Sequence, residues 1–152
     1  MEVKHIIVDG YSILHQWEEL AAARVKNLAS GRQALIHLLT QFHDCYGGEL
    51  TVVFDGRSIP RGGDDIQTSI QILYSQKEQT ADALIERMVG KSPDPSIFLV
   101  ATDDYAEQNT IESLGGRAIS AEGFHAMVKA ELKNVQQVLD TNSLKNRRFG
   151  MK

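Results

Sequence analysis

A chain of 152 residues with 42% hydrophobic and 24% charged residues can bury a core without disulfides, and its composition is neither disordered nor fibrous. No apolar run approaches the roughly 20 residues of a membrane span, and the N-terminus opens on a strand pattern rather than a signal peptide, so a cytoplasmic protein is expected. The net charge of −4 gives no global attraction to nucleic acid, so any phosphate partner must be held by local basic groups.

The first run, Val3 to Val8, is short, β-branched and apolar on both faces, as suits a central parallel strand covered on both sides. It ends in Asp9-Gly10-Tyr11-Ser12. Residues 11 to 29 carry apolar side chains and a helix-favouring Ala21-Ala22-Ala23-Arg24 stretch, without clear boundaries. A helix follows, with Ser30 as its expected cap and Ala34, Leu35, Leu38, Leu39, Phe42 and Cys45 on one face. Cys45, the single cysteine, cannot form an internal disulfide and is expected to fill core space. Gly47-Gly48 closes that helix.

The second strand, Leu50 to Phe54, runs into Asp55-Gly56 and then into a loop through Asp65 rich in glycine and carrying Arg57 and Arg61. A loop of this length is unusual in an α/β domain and invites a functional reading. Ile70 to Tyr74 is a weaker apolar run. Thr80 is placed to cap a helix whose apolar face is Leu84, Ile85, Met88 and Val89, with Asp82 in its first turn. Ile97 to Ala101 is a strong strand ending in Thr102-Asp103-Asp104. Asp104 to Leu114 reads as a helix closed by Gly115-Gly116, and Arg117 to Ile119 as an edge strand. The last helix is expected from about Ala121 to Leu139, with Phe124, Met127, Val128, Leu132, Val135, Val138 and Leu139 as its buried stripe. Strands alternating with single helices predict a three-layer α/β domain, helix, sheet, helix, with a mostly parallel sheet of about five strands. The domain is expected over residues 1–140, followed by a mobile basic tail over 141–152 containing Lys145, Arg147, Arg148 and Lys152.

Three strands thus finish in acid. In an open parallel sheet, residues past the strand C-termini gather on one rim, so Asp9, Asp55 and Asp104 should meet there. Asp82 joins them if the third run is parallel, because the helix after such a strand starts at the same edge. Each acid also has a structural reading: Asp9 and Asp55 as turn residues before glycine, Asp82 as a first-turn acid, and Asp103 or Asp104 as an N-cap. Clustered aspartates repel, and without His or Cys ligands the cation that suits them is Mg²⁺ or Mn²⁺. Metal-assisted phosphodiester hydrolysis is the matching reaction class.

Other chemistries lack their motifs. Neither a G-x-G-x-x-G nor a P-loop is present. Tyr11 stands where a haloacid-dehalogenase-type phosphatase needs its second aspartate. His37 and His43 lie six apart on a helix, and His5, His15 and His125 are isolated, without metal-ligand spacing.

Val8-Asp9-Gly10-Tyr11-Ser12-Ile13, Val53-Phe54-Asp55-Gly56, Thr80-Ala81-Asp82-Ala83-Leu84-Ile85-Glu86 and Thr102-Asp103-Asp104 resemble, in order and spacing, the NYN-domain family, in its YacP-like branch of PIN-like ribonucleases. The resemblance spans roughly residues 3 to 130. It implies a metal-dependent endoribonuclease on a PIN-like parallel sheet, in a branch that includes a ribosome-associated enzyme cutting messenger RNA. It assigns Asp9, Asp55, Asp82 and Asp104 to an acidic pocket, with Thr102 orienting Asp104. Ser12 stands where the family signature has asparagine. Glu86, one turn after Asp82, is a candidate supporting acid, as is Asp103.

The resulting expectation is that Asp9 and Asp104 bind metal directly, Asp82 completes the site, and Asp55 holds a metal water or a second ion. Arg57, Arg61 and the basic tail would take RNA phosphates. The rival expectation is a non-catalytic RNA- or ribosome-binding adaptor that keeps the acidic rim without turnover.

Overall fold

The structure, a computed structural model, describes residues 2–56, 68–76 and 78–148, the side chains at 135, 137 and 142–148 excepted. Five parallel strands form one sheet in the order β3-β2-β1-β4-β5: β1 is His5–Asp9, β2 Glu49–Phe54, β3 Gln71–Tyr74, β4 Phe98–Ala101 and β5 Arg117–Ile119. The expected α/β layering and parallel sheet are present. The helices are α1 (Gly10–Gln16), α2 (Ala21–Lys26), α3 (Leu28–Tyr46), α4 (Ala81–Gly90), α5 (Tyr105–Ser113) and α6 (Ala121–Arg148).

Alternation along the central strands sends side chains to two cores. Ile6, Val8, Val52 and Phe54 point to the side covered by α1, α3 and α6, where Leu35, Leu39, Phe42 and Phe124 meet them. Ile7, Val53 and Val100 point to the other side, against Ile85 and Val89 of α4 and Ile111 of α5. Each such fully buried side chain contributes about 1.5–3 kcal/mol relative to exposure, which is why the central strands read as unbroken apolar runs.

Several local expectations shift. The cap of α3 is Asn27, whose side chain accepts from the Ser30 amide at 2.7 Å, so Ser30 is the capped residue and not the cap. Cys45 is only partly buried, because α3 turns Leu35, Ile36, Leu39 and Phe42 inward instead. The segment after Ser12 is α1, a 3-10 turn at Glu18–Leu20 and α2. The strand expected from Ile97 begins at Phe98, since Asp94 caps a 3-10 turn over Pro95–Ile97. In α6 the buried stripe ends early: Phe124 and Val128 are buried, Met127 and Leu132 pack beside them, and Val138 is 60% exposed. The backbone of α6 continues through Arg148, past the expected end at Leu139.

Gly10 has no positive φ, so it is not there to let the chain turn. A Cβ at Gly10 would strike the ring of Phe54 and approach the Val53 carbonyl oxygen to 3.0 Å. Phe54 is fully buried and cannot yield. Overpacking of this kind costs about 1–3 kcal/mol, so Gly10→Ala should lower the melting temperature by about 5 °C. A thermal melt within about 1 °C of wild type would refute this account of Gly10.

Candidate functional site

The chain winds outward from β1 through β2 to β3 and then returns to the other side of β1 as β4. The reversal leaves a crevice past the C-terminal ends of β1 and β4, the place where open parallel sheets bind ligands. Asp9 closes β1 there, and Thr102-Asp103-Asp104 follows β4.

These residues are held by a short hydrogen-bond chain. The fully buried Thr102 donates through Oγ1 to Asp9 Oδ2 at 2.9 Å, and the same oxygen accepts from the Asp104 amide at 3.2 Å. Thr102 therefore orients Asp9 by its hydroxyl and holds Asp104 only through the backbone. Gln108 Nε2 ties down the Thr102 carbonyl at 2.7 Å. Ser12 Oγ accepts from the Asp103 amide at 2.8 Å, joining α1 to the end of β4. Asp104 caps α5 through Oδ1, which accepts from the Ala106 amide at 2.9 Å and the Glu107 amide at 3.3 Å. Asp103 turns away and accepts from the Ala121 amide at 2.7 Å, at the start of α6. Both acids of the pair are thus helix caps, for different helices.

Asp82 sits in the first turn of α4, whose cap Thr80 accepts from the Ala83 amide at 3.1 Å. Because α4 follows a parallel strand and packs on β1, β2 and α5, its N-terminus faces the same crevice. The electrostatics agree with that placement. The Asp82 carboxyl is pushed up to about 6 by burial, then by the charges of Asp9 and Asp104, a hydrogen bond with Asp104, and the charge of Glu86. Burial likewise raises Asp9; the Thr102 hydroxyl and Ser12 amide oppose this, while Asp104 and Asp103 add to it.

Glu107, which the sequence reading did not single out, lies beneath this cluster. It is 2% exposed, and its Oε1 has no hydrogen-bond partner. Burial first, then a hydrogen bond shared with Glu86 and the charges of Asp82, Glu86 and Asp9, push its carboxyl up to about 9. One signal was present: Glu107 precedes Ile111 by four and therefore shares the buried face of α5. Arg32 was also missed. This buried guanidinium donates to the Tyr11 hydroxyl at 3.2 Å, and Tyr11 packs on Phe54 with ring centroids 5.3 Å apart. Tyr105, directly after Asp104, is 80% exposed.

Asp55 stands just past β2. Its Oδ1 accepts from Ser75 Oγ at 3.4 Å, while the Ser75 amide bonds the Phe54 carbonyl at 3.0 Å, pinning the ends of β2 and β3 together. Arg57 and Arg61 lie outside the described residues, as do Lys152 and the side chains of Lys145, Arg147 and Arg148.

Among the described residues, no three His, Cys, Asp or Glu side chains are already arranged to hold a metal ion. The donor set nevertheless suits a hard divalent cation in kind: its atoms are all oxygens, its carboxyls raise one another, and Glu107 Oε1 is buried without a partner.

Comparison with known proteins agrees with this architecture. The chain is 28% identical over 119 residues to the uncharacterized protein YacP of Bacillus subtilis strain 168, covering 76% of this chain and 69% of that protein. Two crystal structures of Rae1 (YacP) from Bacillus subtilis, one a point mutant, each superpose with a TM-score of 0.77. The mutant is 22% identical, covering 91% of this chain and 82% of its own, and the other is 21% identical, covering 97% and 85%. At that identity the likeness is one of fold. The model of the YacP-like NYN domain matches residues 6–151, and the chain belongs to that family of PIN-like nuclease fold.

Proposed function

We propose that the chain is a metal-dependent endoribonuclease in which Asp9, Asp82 and Asp104 hold Mg²⁺ or Mn²⁺. The observation that carries this is the hydrogen-bond chain that sets Asp9 and Asp104 on Thr102 at the reversal point of the sheet, beside an Asp82 carboxyl raised to about 6 by burial and then by the charges of Asp9 and Asp104. Carboxyls forced together at such cost are a mark of function. A bound divalent ion supplies an activated water and charge neutralisation for a phosphodiester.

The chain's own residues do the rest. Thr102 fixes the Asp9 carboxylate in one rotamer. Glu107, protonated in the fold, donates to Glu86 behind Asp82, and Asp55 orients a water or a second ion at the rim. Tyr105 offers an exposed ring on which an unpaired base can stack, worth about 1–3 kcal/mol and indifferent to sequence. Arg57, Arg61, Lys145, Arg147 and Arg148 take phosphates, which positions RNA without selecting it. In this reading one nuclease domain occupies residues 1–140, the segment 141–152 serves RNA, and the work is done on messenger RNA at the ribosome in the cytoplasm.

The test is incubation of the full chain with end-labelled single-stranded RNA and with messenger RNA, translated or untranslated, in the presence of ribosomes and Mn²⁺. Internal cuts that vanish with EDTA are expected. Ser12 in place of the family asparagine and the net charge of −4 favour one rival, an adaptor that binds RNA or ribosomes without cutting. Calorimetric titration with Mn²⁺ separates them: the nuclease binds the ion through its carboxylates, and the adaptor gives no carboxylate-dependent heat.

A further inference from the structure

Thr102, Asp103 and Asp104 are consecutive, yet each is held by a different part of the molecule. The Thr102 amide donates to the Ile119 carbonyl at 3.0 Å and its carbonyl takes Gln108 Nε2 at 2.7 Å, while Asp104 caps α5. Asp103, between them, is tied at both ends. Its amide donates to Ser12 Oγ at 2.8 Å, and its Oδ1 accepts from the Ala121 amide at 2.7 Å. The two anchors are themselves fixed. Ala121 is 1% exposed and its carbonyl accepts from Trp17 Nε1 at 3.0 Å, and the Ser12 amide donates to the Asp9 carboxylate. Nor does α6 depend on Asp103 for its cap, because Ser120 Oγ accepts from the Gly123 amide at 3.0 Å. The Asp103 bond is a second tie, reaching the helix from outside it.

What this second tie holds is the chain on which Asp104 is carried. A planar peptide joins Asp103 to Asp104, so fixing Asp103 by its amide and by its side chain leaves few dihedrals through which Asp104 can stray. Partners one step behind a metal ligand set its orientation, and their loss commonly weakens metal binding. We propose that Asp103 is a positioning residue for the acidic centre: bound to Ser12 and Ala121 on the side away from the crevice, it sets the Asp104 carboxylate beside those of Asp9 and Asp82. Its oxygen matters as an acceptor and not as a charge. The ion that Asp104 would hold rests on the nuclease reading, whereas the positioning exists without the ion.

Asp104 Oδ1 accepts from the Ala106 and Glu107 amides, so hydrogen exchange at those two amides reports on its carboxylate in the metal-free full chain. Asp103→Ala leaves the Ala121 amide without its acceptor. It should lose exchange protection at Ala106 and Glu107 and, in calorimetric titration, bind Mn²⁺ about tenfold more weakly than wild type. Asp103→Asn keeps an oxygen for Ala121 and should restore both the protection and the Mn²⁺ affinity, a rescue that a direct metal ligand would not show. Should Asp103→Ala fail to fold, Ser12→Ala removes the other tie and is expected to lose the same protection. Exchange and Mn²⁺ affinity unchanged in Asp103→Ala, whatever its melting temperature, would reduce the bond to an ordinary helix contact and overturn the proposal. So would an Asp103→Asn protein as impaired as the alanine variant, or a Ser12→Ala protein protected like wild type. Lost protection in Asp103→Ala, restored in Asp103→Asn, on a chain that binds no Mn²⁺ and cuts no RNA leaves the positioning and removes the nuclease. Mn²⁺-dependent cleavage by an Asp103→Ala protein with full protection removes the positioning and leaves the nuclease.

Discussion

Asp9→Asn should reduce RNA cleavage by about a thousandfold or more, because a direct carboxylate ligand supplies several kcal/mol of transition-state stabilisation at about 1.4 kcal/mol per tenfold. The same substitution should leave the melting temperature unchanged or raise it. Burial already disfavours the Asp9 charge, and Asp104 and Asp103 add repulsion. Asparagine removes that charge and still offers an oxygen to the Thr102 hydroxyl, which stands 2.9 Å from Asp9 Oδ2. Gain of stability together with loss of activity is the signature of a functional acid, since an acid kept for the fold would lose both. The measurement is cleavage in Mn²⁺ by purified wild type and Asp9→Asn, paired with thermal melts. An Asp9→Asn protein that cleaves at the wild-type rate eliminates Asp9 as a ligand and with it the proposed site.

The strands that lead to Asp9, Asp55 and Asp104 were legible because a strand buried on both faces is apolar almost throughout, Thr51 in β2 being the exception, so a turn to successive polar residues marks its end. Parallel connectivity then placed those ends on one rim. What stayed hidden was set by contacts distant in sequence. Gly10 is required by the ring of Phe54, a residue that no local pattern links to it. Glu107 was read past because charged residues are normally solvated, and only its register with Ile111 points inward. Asp103 and Asp104 looked interchangeable as caps, and the distinction between them depends on where α6 begins. In α6 the periodic stripe continued to Leu139 in the sequence, yet Val138 and Leu139 remain exposed, because periodicity reports a face and not whether anything covers it.

The second large effect is on stability as a function of pH. Glu107 has an ordinary value of 4.5 and stands at about 9 in the fold, and Asp82 moves from 3.8 to about 6. An acid whose folded pKa is raised keeps its proton in the native state while the unfolded chain ionises. Stability is therefore lost as pH climbs from the unfolded value, and the loss is complete once the folded value is passed. For Asp82 that window closes near 6, whereas for Glu107 it continues to about 9. In EDTA the melting temperature should accordingly fall steadily from about pH 6 to pH 9. His5, which burial holds below its ordinary value, works in the opposite direction toward acid pH. The informative quantity is thus the difference between wild type and Glu107→Gln. Glutamine keeps the shape of the protonated acid and can still donate toward Glu86, so the variant should be the more stable protein at pH 8, by at least about 3 °C, and should show a flatter profile. Mn²⁺ should raise the wild-type melting temperature most at alkaline pH, where the carboxyls it relieves are ionised. A Glu107→Gln protein less stable than wild type at pH 8, or a wild-type profile flat from pH 6 to 9, would mean that the buried carboxyl does not carry its proton into the fold.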